Sequence, residues 1–157
     1  MAPVKIRRGT ERDVGSAADL IVRTKRLNNE FDPLFMVVED SRERAEKYVS
    51  DSLRSPEVLL LVATRGEKVV GVLRAQLRNR VFYHPTREGH ITDFYVLPEF
   101  RRKTLGNDML EKVSEQLKRM GAEMITAEVP SQNEIAVRFY TKRGFRSLMQ
   151  VFAGRSQ

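Results

Sequence analysis

Apolar and polar positions follow three patterns along this chain. Val4–Arg8 alternates with period two and predicts a short strand. Thr10 can cap a helix over about 11–27, because Val14, Ala17, Ala18, Ile21 and Val22 recur on one helical face. Leu27–Val38 has no period, and Asp32-Pro33 marks a turn. Ser41 opens a second helix that runs to about Leu53 and stops at Ser55-Pro56. Val58–Thr64 and Lys68–Leu77 read as a hairpin around Arg65-Gly66-Glu67, and Arg78–Gly89 reads as a polar loop or a frayed strand end.

The second half alternates strand and helix. His90–Leu97 is a predicted strand stopped by Pro98. Leu105, Met109, Leu110, Val113, Leu117 and Met120 fit the 3.6 period of a helix that Gly121 closes. Glu123–Val129 predicts a strand, Asn133–Lys142 a helix ending at Gly144, and Phe145–Phe152 a final strand. No repeat or linker divides the chain, so residues 1–157 read as one α/β domain.

Composition narrows the class. Apolar residues are 41% and charged residues 31%, the balance of a globular chain. Cysteine is absent, which excludes disulfides, thiolate metal sites and cysteine nucleophiles. His84 and His90 lack a clear carboxylate partner in sequence, so no metal is expected, and both read as surface histidines, with a base role for His90 as the alternative. The start has no apolar signal region, and the longest apolar run, Val58–Ala63, is far short of the ~20 residues that span a bilayer. A cytoplasmic protein without a membrane partner is the expectation. The net charge of +7 suggests an anionic partner. The excess is spread over both halves, with no polybasic arm and no basic strand with interleaved aromatics, which argues against nucleic acid.

The most informative segment runs from Tyr95 to Gly106. A strand ends in Pro98, a basic turn follows, and a helix begins. The unsatisfied amides and partial positive charge of a helix start suit phosphate, and Arg101, Arg102 and Lys103 add full charges. Gly106 removes a side chain where a ligand could approach the backbone. The other reading is a solvated basic turn before an ordinary helix.

Two blocks carry a resemblance. Val96-Leu97-Pro98-Glu99-Phe100 leads into Arg101-x-x-Thr104-x-Gly106, and Asn133-x-x-Ala136-x-x-Phe139-Tyr140-x-x-x-Gly144-Phe145 follows at the right distance. In both, and in its opening Ile6–Asp13, the sequence resembles the GNAT superfamily of N-acetyltransferases, which use acetyl-coenzyme A. The resemblance implies a mixed, mostly antiparallel central sheet splayed between two central strands and flanked by about four helices. It implies that the backbone of Phe94, Tyr95 and Val96 pairs with the pantetheine arm. Arg101, Arg102, Lys103, Thr104, Leu105, Gly106 and Asn107 would cradle the pyrophosphate, and Asn133 would bond the pantetheine or a nearby backbone group. Thr104 stands where the family has its first loop glycine, and a β-branched residue resists positive φ.

Transfer to an amine needs a neutral nitrogen and a proton for the leaving thiolate. The resemblance puts Tyr140 near the thioester sulfur as general acid and cofactor contact. Asp93 and Glu128 are the candidate bases, from the expectation that a partly apolar cleft raises a carboxylate pKa. Many relatives carry a Glu at the position of Thr92. The other readings are a structural partner for a nearby arginine at Asp93 and a solvated strand end at Glu128. Leu27–Phe35 would wall the acceptor site, with Glu30 and Asp32 drawing in a cation. The expected function is acetyl transfer from acetyl-CoA directly to a primary amine, with a non-catalytic CoA-binding sensor as the alternative. A homodimer through the last strand is a further possibility.

Overall fold

A computed structural model describes residues 2–101 and 104–156. Its strands are β1 (Val4–Arg8), β2 (Val58–Arg65), β3 (Lys68–Asn79), β4 (Arg87–Val96) and β5 (Met124–Ala127). Its helices are α1 (Val14–Asn29), α2 (Ser41–Arg54), α3 (Leu105–Arg119) and α4 (Glu134–Thr141), with 3-10 turns at Glu11–Asp13, Pro33–Phe35 and Pro98–Phe100.

The strands form one sheet in the order β1-β2-β3-β4-β5. Neighbours are antiparallel except β4 and β5, which run parallel. The chain must cross over to make that parallel pair, and α3 is the crossover. The 3.6-period face of α3 (Leu105, Met109, Leu110, Val113, Leu117) is buried as its spacing predicts. It packs on the face of the sheet that carries Gly71 and Gly89. A Cβ on Gly89 would lie 2.7 Å from Leu117 Cδ1, and one on Gly71 would lie 3.1 Å from Met109 Sδ. Helices α1 and α2 cover the opposite face, where Arg74 and Asp93 meet Ser52, Tyr48 and Lys25.

The entry to α1 is held electrostatically. Arg7 makes two bonds to the Asp13 carboxylate, 2.7 and 3.0 Å, and the Thr10 amide donates to the same carboxylate at 2.7 Å. The Arg7 bond is the main cause that lowers the Asp13 pKa, against the opposing effect of burial.

Five elements differ from the sequence reading. First, α1 starts at Val14 behind a separate turn and continues to Asn29. β3 and β4 are longer than expected, to Asn79 and from Arg87, so the polar loop shrinks to 80–86. Polar strand ends such as Arg78 and Glu88, which face each other across the β3–β4 ladder, do not stand out by hydropathy. β5 is four residues, since the chain turns at Pro130. The expected last strand, Phe145–Phe152, is not formed: the segment has no regular secondary structure and no ladder partner among the described residues.

Two outcomes test this packing. Gly89→Ala forces a methyl into the buried side chain of Leu117 and should cost about 1–3 kcal/mol in denaturant unfolding; an unchanged midpoint would contradict the close approach. A lowered carboxylate pKa gives stability that is present above the unfolded value of about 3.9 and is lost as pH falls through the folded value. Asp13→Asn should therefore lower stability at neutral pH and flatten its loss under acid. An acid titration of stability identical to wild type would remove Asp13 from that role.

Candidate active site

The site begins where β4 and β5 part. Their parallel pairing covers Glu88–Ile91 on β4 and Met124–Ala127 on β5, and the Glu128 amide still reaches Ile91 O at 3.2 Å. Beyond it, Phe94, Tyr95 and Val96 pair only with Leu73, Val72 and Gly71 of β3. Their β5-facing edge is open, a place where an extended chain can add like a strand. A bulge sharpens the parting. Arg74 faces Asp93 and Ala75 faces Ile91, so Thr92 is an extra residue on β4. Bulges bend a strand and increase its twist.

The bulge also puts Thr92 and Asp93 on one face, with His90. Asp93 is 2% exposed and accepts three bonds, from Lys25 Nζ (2.7 Å), the Tyr48 hydroxyl (2.5 Å) and the Thr92 hydroxyl (2.8 Å). Arg74 runs alongside, bonded to Ser52 Oγ (2.7 Å) and Thr92 Oγ1 (3.0 Å), with its guanidinium over the Tyr48 ring. Burial and the Asp93 carboxylate push the Tyr48 phenol pKa up, so Tyr48 stays a donor.

Beside it runs a second chain of polar groups. Arg78 pairs with Glu88 at 3.1 Å, and Thr126 Oγ1 bonds Glu88 at 2.5 Å. His90 Nδ1 lies 2.8 Å from the same Thr126 oxygen, and His90 Nε2 lies 2.6 Å from Glu128 Oε1. A hydroxyl has one proton and Glu88 is an acceptor, so Thr126 donates to Glu88 and accepts from His90 Nδ1–H. Nε2 then faces the Glu128 carboxylate. The His90 bond lowers the Glu128 pKa against the opposing effect of burial, and Lys25 lowers it further. This corrects two expectations: the Glu128 pKa goes down rather than up, and His90 is 6% exposed rather than a surface residue.

The opposite face at the parting is aromatic. Phe94 meets Phe139 edge-on at 5.7 Å, Phe139 meets Tyr140 at 5.2 Å, and Tyr140 meets Phe145 at 5.3 Å. Burial alone pushes the Tyr140 phenol pKa up. Asn133 caps α4, its side chain accepting from the Ala136 amide at 3.1 Å.

The turn before α3 leaves three amides ahead of the first helical bond. The first bond inside α3 runs from Asp108 N to Thr104 O, so the amides of Leu105, Gly106 and Asn107 precede it. Thr104 has φ −73° and ψ 5°, so no positive φ is demanded of a β-branched residue. A Cβ on Gly106 would lie 3.2 Å from the Phe139 ring: this glycine lets α4 approach α3. The Asn107 side chain bonds Glu111 and Arg143. Arg101 folds back, Nε to Val96 O at 2.7 Å, with its guanidinium against the Tyr95 ring. Arg102 and Lys103 lie outside the described residues. On the acceptor side, Leu34, Phe35 and Met36 are exposed and Asp32 caps the Pro33–Phe35 turn through the Leu34 amide.

The structure therefore gathers Asp93 and Glu128 on one face, and Phe94, Tyr140 and the α3 start on the other. Sequence reasoning missed Lys25, Tyr48, Arg74, Glu88 and Thr126. Arg74 carried a signal: a lone charge inside the apolar run of β3 calls for a buried partner. Tyr48 and Lys25 carried none, because each joins the site from a helix surface.

The Acetyltransferase (GNAT) family model matches residues 24–145. The chain is 26% identical over 146 residues to the aminoalkylphosphonate N-acetyltransferase of Salmonella typhimurium, covering 93% of this chain and 87% of that one. Among solved structures, a predicted acetyltransferase from Clostridium acetobutylicum with acetyl-CoA superposes at TM-score 0.77 and 13% identity, over 98% of this chain and 96% of that one. The aminoglycoside 6'-N-acetyltransferase of Acinetobacter haemolyticus superposes at 0.77 and 17% identity, over 98% of each chain. Among the described residues no helix is long and apolar enough to cross a membrane.

Asp93→Ala would leave the buried donors of Tyr48 and Thr92 without their carboxylate and Lys25 without its counter-charge. It should cost about 3–5 kcal/mol in denaturant unfolding, the range for breaking a buried pair. Asp93→Asn, which keeps an acceptor oxygen, should cost less. Equal midpoints for wild type and the alanine variant would contradict the network.

Proposed function

The chain belongs to the acetyltransferase (GNAT) family, and from that premise we propose that it transfers the acetyl group of acetyl-CoA directly to the primary amine of a small acceptor. One observation carries the reading: the β4 edge at Phe94–Val96, unpaired by β5, leads within a few residues to the free amides at the start of α3. The edge suits the two amides of a pantetheine arm, and the helix start suits a pyrophosphate. The residues present fit the cosubstrate, because the backbone at Thr104 leaves its amide available without a glycine. Bound acetyl-CoA would supply the activated acyl group and a thiolate leaving group.

The chain's own groups divide the remaining work. Tyr140 is held by Phe139 and Phe145, and burial keeps its phenol protonated, which suits it to give a proton to the departing sulfur. Glu128 stands at the fork of the strands with its side chain 64% exposed, where it can meet an ammonium group. Its lowered pKa keeps it ionised at neutral pH and makes it a weak base alone. In its unprotonated form the pair of Glu128 and His90 Nε2, 2.6 Å apart, takes one proton from the amine, directly or through water, and passes it to solvent after transfer. Asp93 is a positioning residue, buried and already bonded by Lys25, Tyr48 and Thr92. Arg101 stiffens the strand end through Val96 O.

The acceptor class follows from charge and from the aminoalkylphosphonate relative. Lys25 uses one of its three donors on Asp93 and is 45% exposed, close enough to influence Glu128. A cation and a carboxylate side by side fit an acceptor with an amine and an anionic group, such as an aminoalkylphosphonate.

The test mixes the protein with acetyl-CoA and a panel of aminoalkylphosphonates, amino acids, polyamines, aminoglycosides and peptides, and follows free thiol. Thiol release with a small amine is expected, fastest with the phosphonates. CoA binding without thiol release for any amine would leave a sensor and overturn the transferase reading. With the accepted amine, Tyr140→Phe should lower turnover roughly 10²–10⁴-fold, the range for a general acid. Unchanged turnover would remove that role.

A further inference from the structure

The two ring nitrogens of His90 meet unequal surroundings. On the inner side, Glu88 is buried, accepts from Thr126 Oγ1 at 2.5 Å and pairs with Arg78 at 3.1 Å. Burial works to raise the Glu88 pKa, but the Thr126 bond and the Arg78 charge outweigh it and hold it below its ordinary value. Glu88 is therefore ionised at neutral pH and takes the one hydroxyl proton of Thr126. Only lone pairs of that hydroxyl remain for His90 Nδ1, 2.8 Å away. An Nδ1 without hydrogen would set lone pair against lone pair, so the contact requires Nδ1–H.

On the outer side, Nε2 lies 2.6 Å from Glu128 Oε1, whose side chain is largely exposed. By itself an ionised carboxylate there favours hydrogen on Nε2, because the bond at one ring nitrogen decides the tautomer. A neutral imidazole in that form has its outer nitrogen already filled and cannot accept a proton from an amine. The arm from Glu88 through Thr126 opposes that form. It is the stronger of the two, because it is buried and water does not weaken it. The other charged or titratable groups near the pair are spoken for. Lys25 of α1 and Tyr48 of α2 bond Asp93, and Arg74 of β3 bonds Ser52, Gln76 and Thr92. Lys25 lowers the Glu128 pKa and Asp93 opposes it.

We infer that Glu88 and Thr126 are positioning residues for the proton transfer: they keep hydrogen on His90 Nδ1, so that Nε2 alone exchanges protons with the acceptor. The inference rests on the reading of Glu128 and His90 as the base. An N–H bond of the amine breaks and an Nε2–H bond forms, directly or through water. After transfer the same proton leaves Nε2 past Glu128 to solvent. The protons on Nδ1 and on Thr126 stay where they are throughout. Arg78 acts one step further back, by balancing the buried charge of Glu88.

His84→Gln leaves His90 as the single histidine, and nitrogen NMR of its neutral ring then tells Nδ1–H from Nε2–H. Nδ1–H is expected. Thr126→Val removes the hydroxyl at nearly constant shape and should switch the ring to Nε2–H, while Thr126→Ser should keep Nδ1–H. With the accepted amine, Thr126→Val should lower kcat by about tenfold or more, part of the range for acid–base catalysis, with KM for acetyl-CoA unchanged. It should also move the acid limb of the pH–rate profile, and Thr126→Ser should restore both. Glu88→Gln should act in the same direction as Thr126→Val. Nε2–H in the starting protein, or Nδ1–H retained in Thr126→Val, would overturn the inference. A switched tautomer with unchanged kcat and pH profile would overturn it too. The two possible failures are distinct. Absence of thiol release with every amine overturns the transfer reading whatever the tautomer, whereas a wrong tautomer overturns this inference with thiol release intact.

Discussion

β4 must hold β3 along its whole length and release β5 after Ile91, and the rest of the site follows from that release. Two local features enforce it. The extra residue Thr92 bends β4 within the ladder, and Pro130 follows β5 too closely for that strand to continue. The result is an open backbone edge inside a packed protein. An unpaired edge is normally a liability, but here the chain leads from it within a few residues to the start of α3, whose first amides precede the helix's first bond.

The same bulge sets the polarity of the two faces. By adding one residue it keeps His90, Thr92 and Asp93 together toward α1 and α2, while Phe94 turns toward α4. Burying Asp93, Arg74, Glu88 and His90 costs desolvation, and such groups are tolerated only when each is bonded. Each has a partner here, and the partners come from α1, α2, β3 and β5, so the polar layer fixes how those elements sit against β4. A hydrophobic layer of equal volume would be as stable and would carry no proton. The charge network thus lies on one face of the sheet and the aromatic cluster on the other.

How much of this the sequence displayed depends on whether a feature is local. The α3 stripe, the buried β2 run and the Asn133–Phe145 block were legible because period and turn residues act within a few positions. The bulge at Thr92 was not, since it exists only in register with Arg74. The burial of His90 was hidden for a related reason. Its partners, Thr126 and Glu128, are 36 and 38 residues away, and its own neighbours in sequence point to the other face. The strand expected at 145–152 shows the reverse case. Its pattern is local, but a strand forms only where an edge bonds it, and no described strand pairs with this segment.

Thr104 shows why a departure from a motif must be judged by geometry. A glycine in a phosphate turn has two separate uses, positive φ and room beside the backbone. Thr104 sits at φ −73°, so the first use is not required of it. Its side chain is exposed and bonds Asp108 Oδ2 at 3.1 Å, turned along the helix. Gly106 does need its missing side chain, because the Phe139 ring lies 3.2 Å from where a Cβ would stand. That contact ties the phosphate turn to the helix that carries Tyr140. The glycine this turn cannot give up is therefore the one that packs against protein, and the position that accepted a β-branched residue is the one whose backbone never asked for glycine.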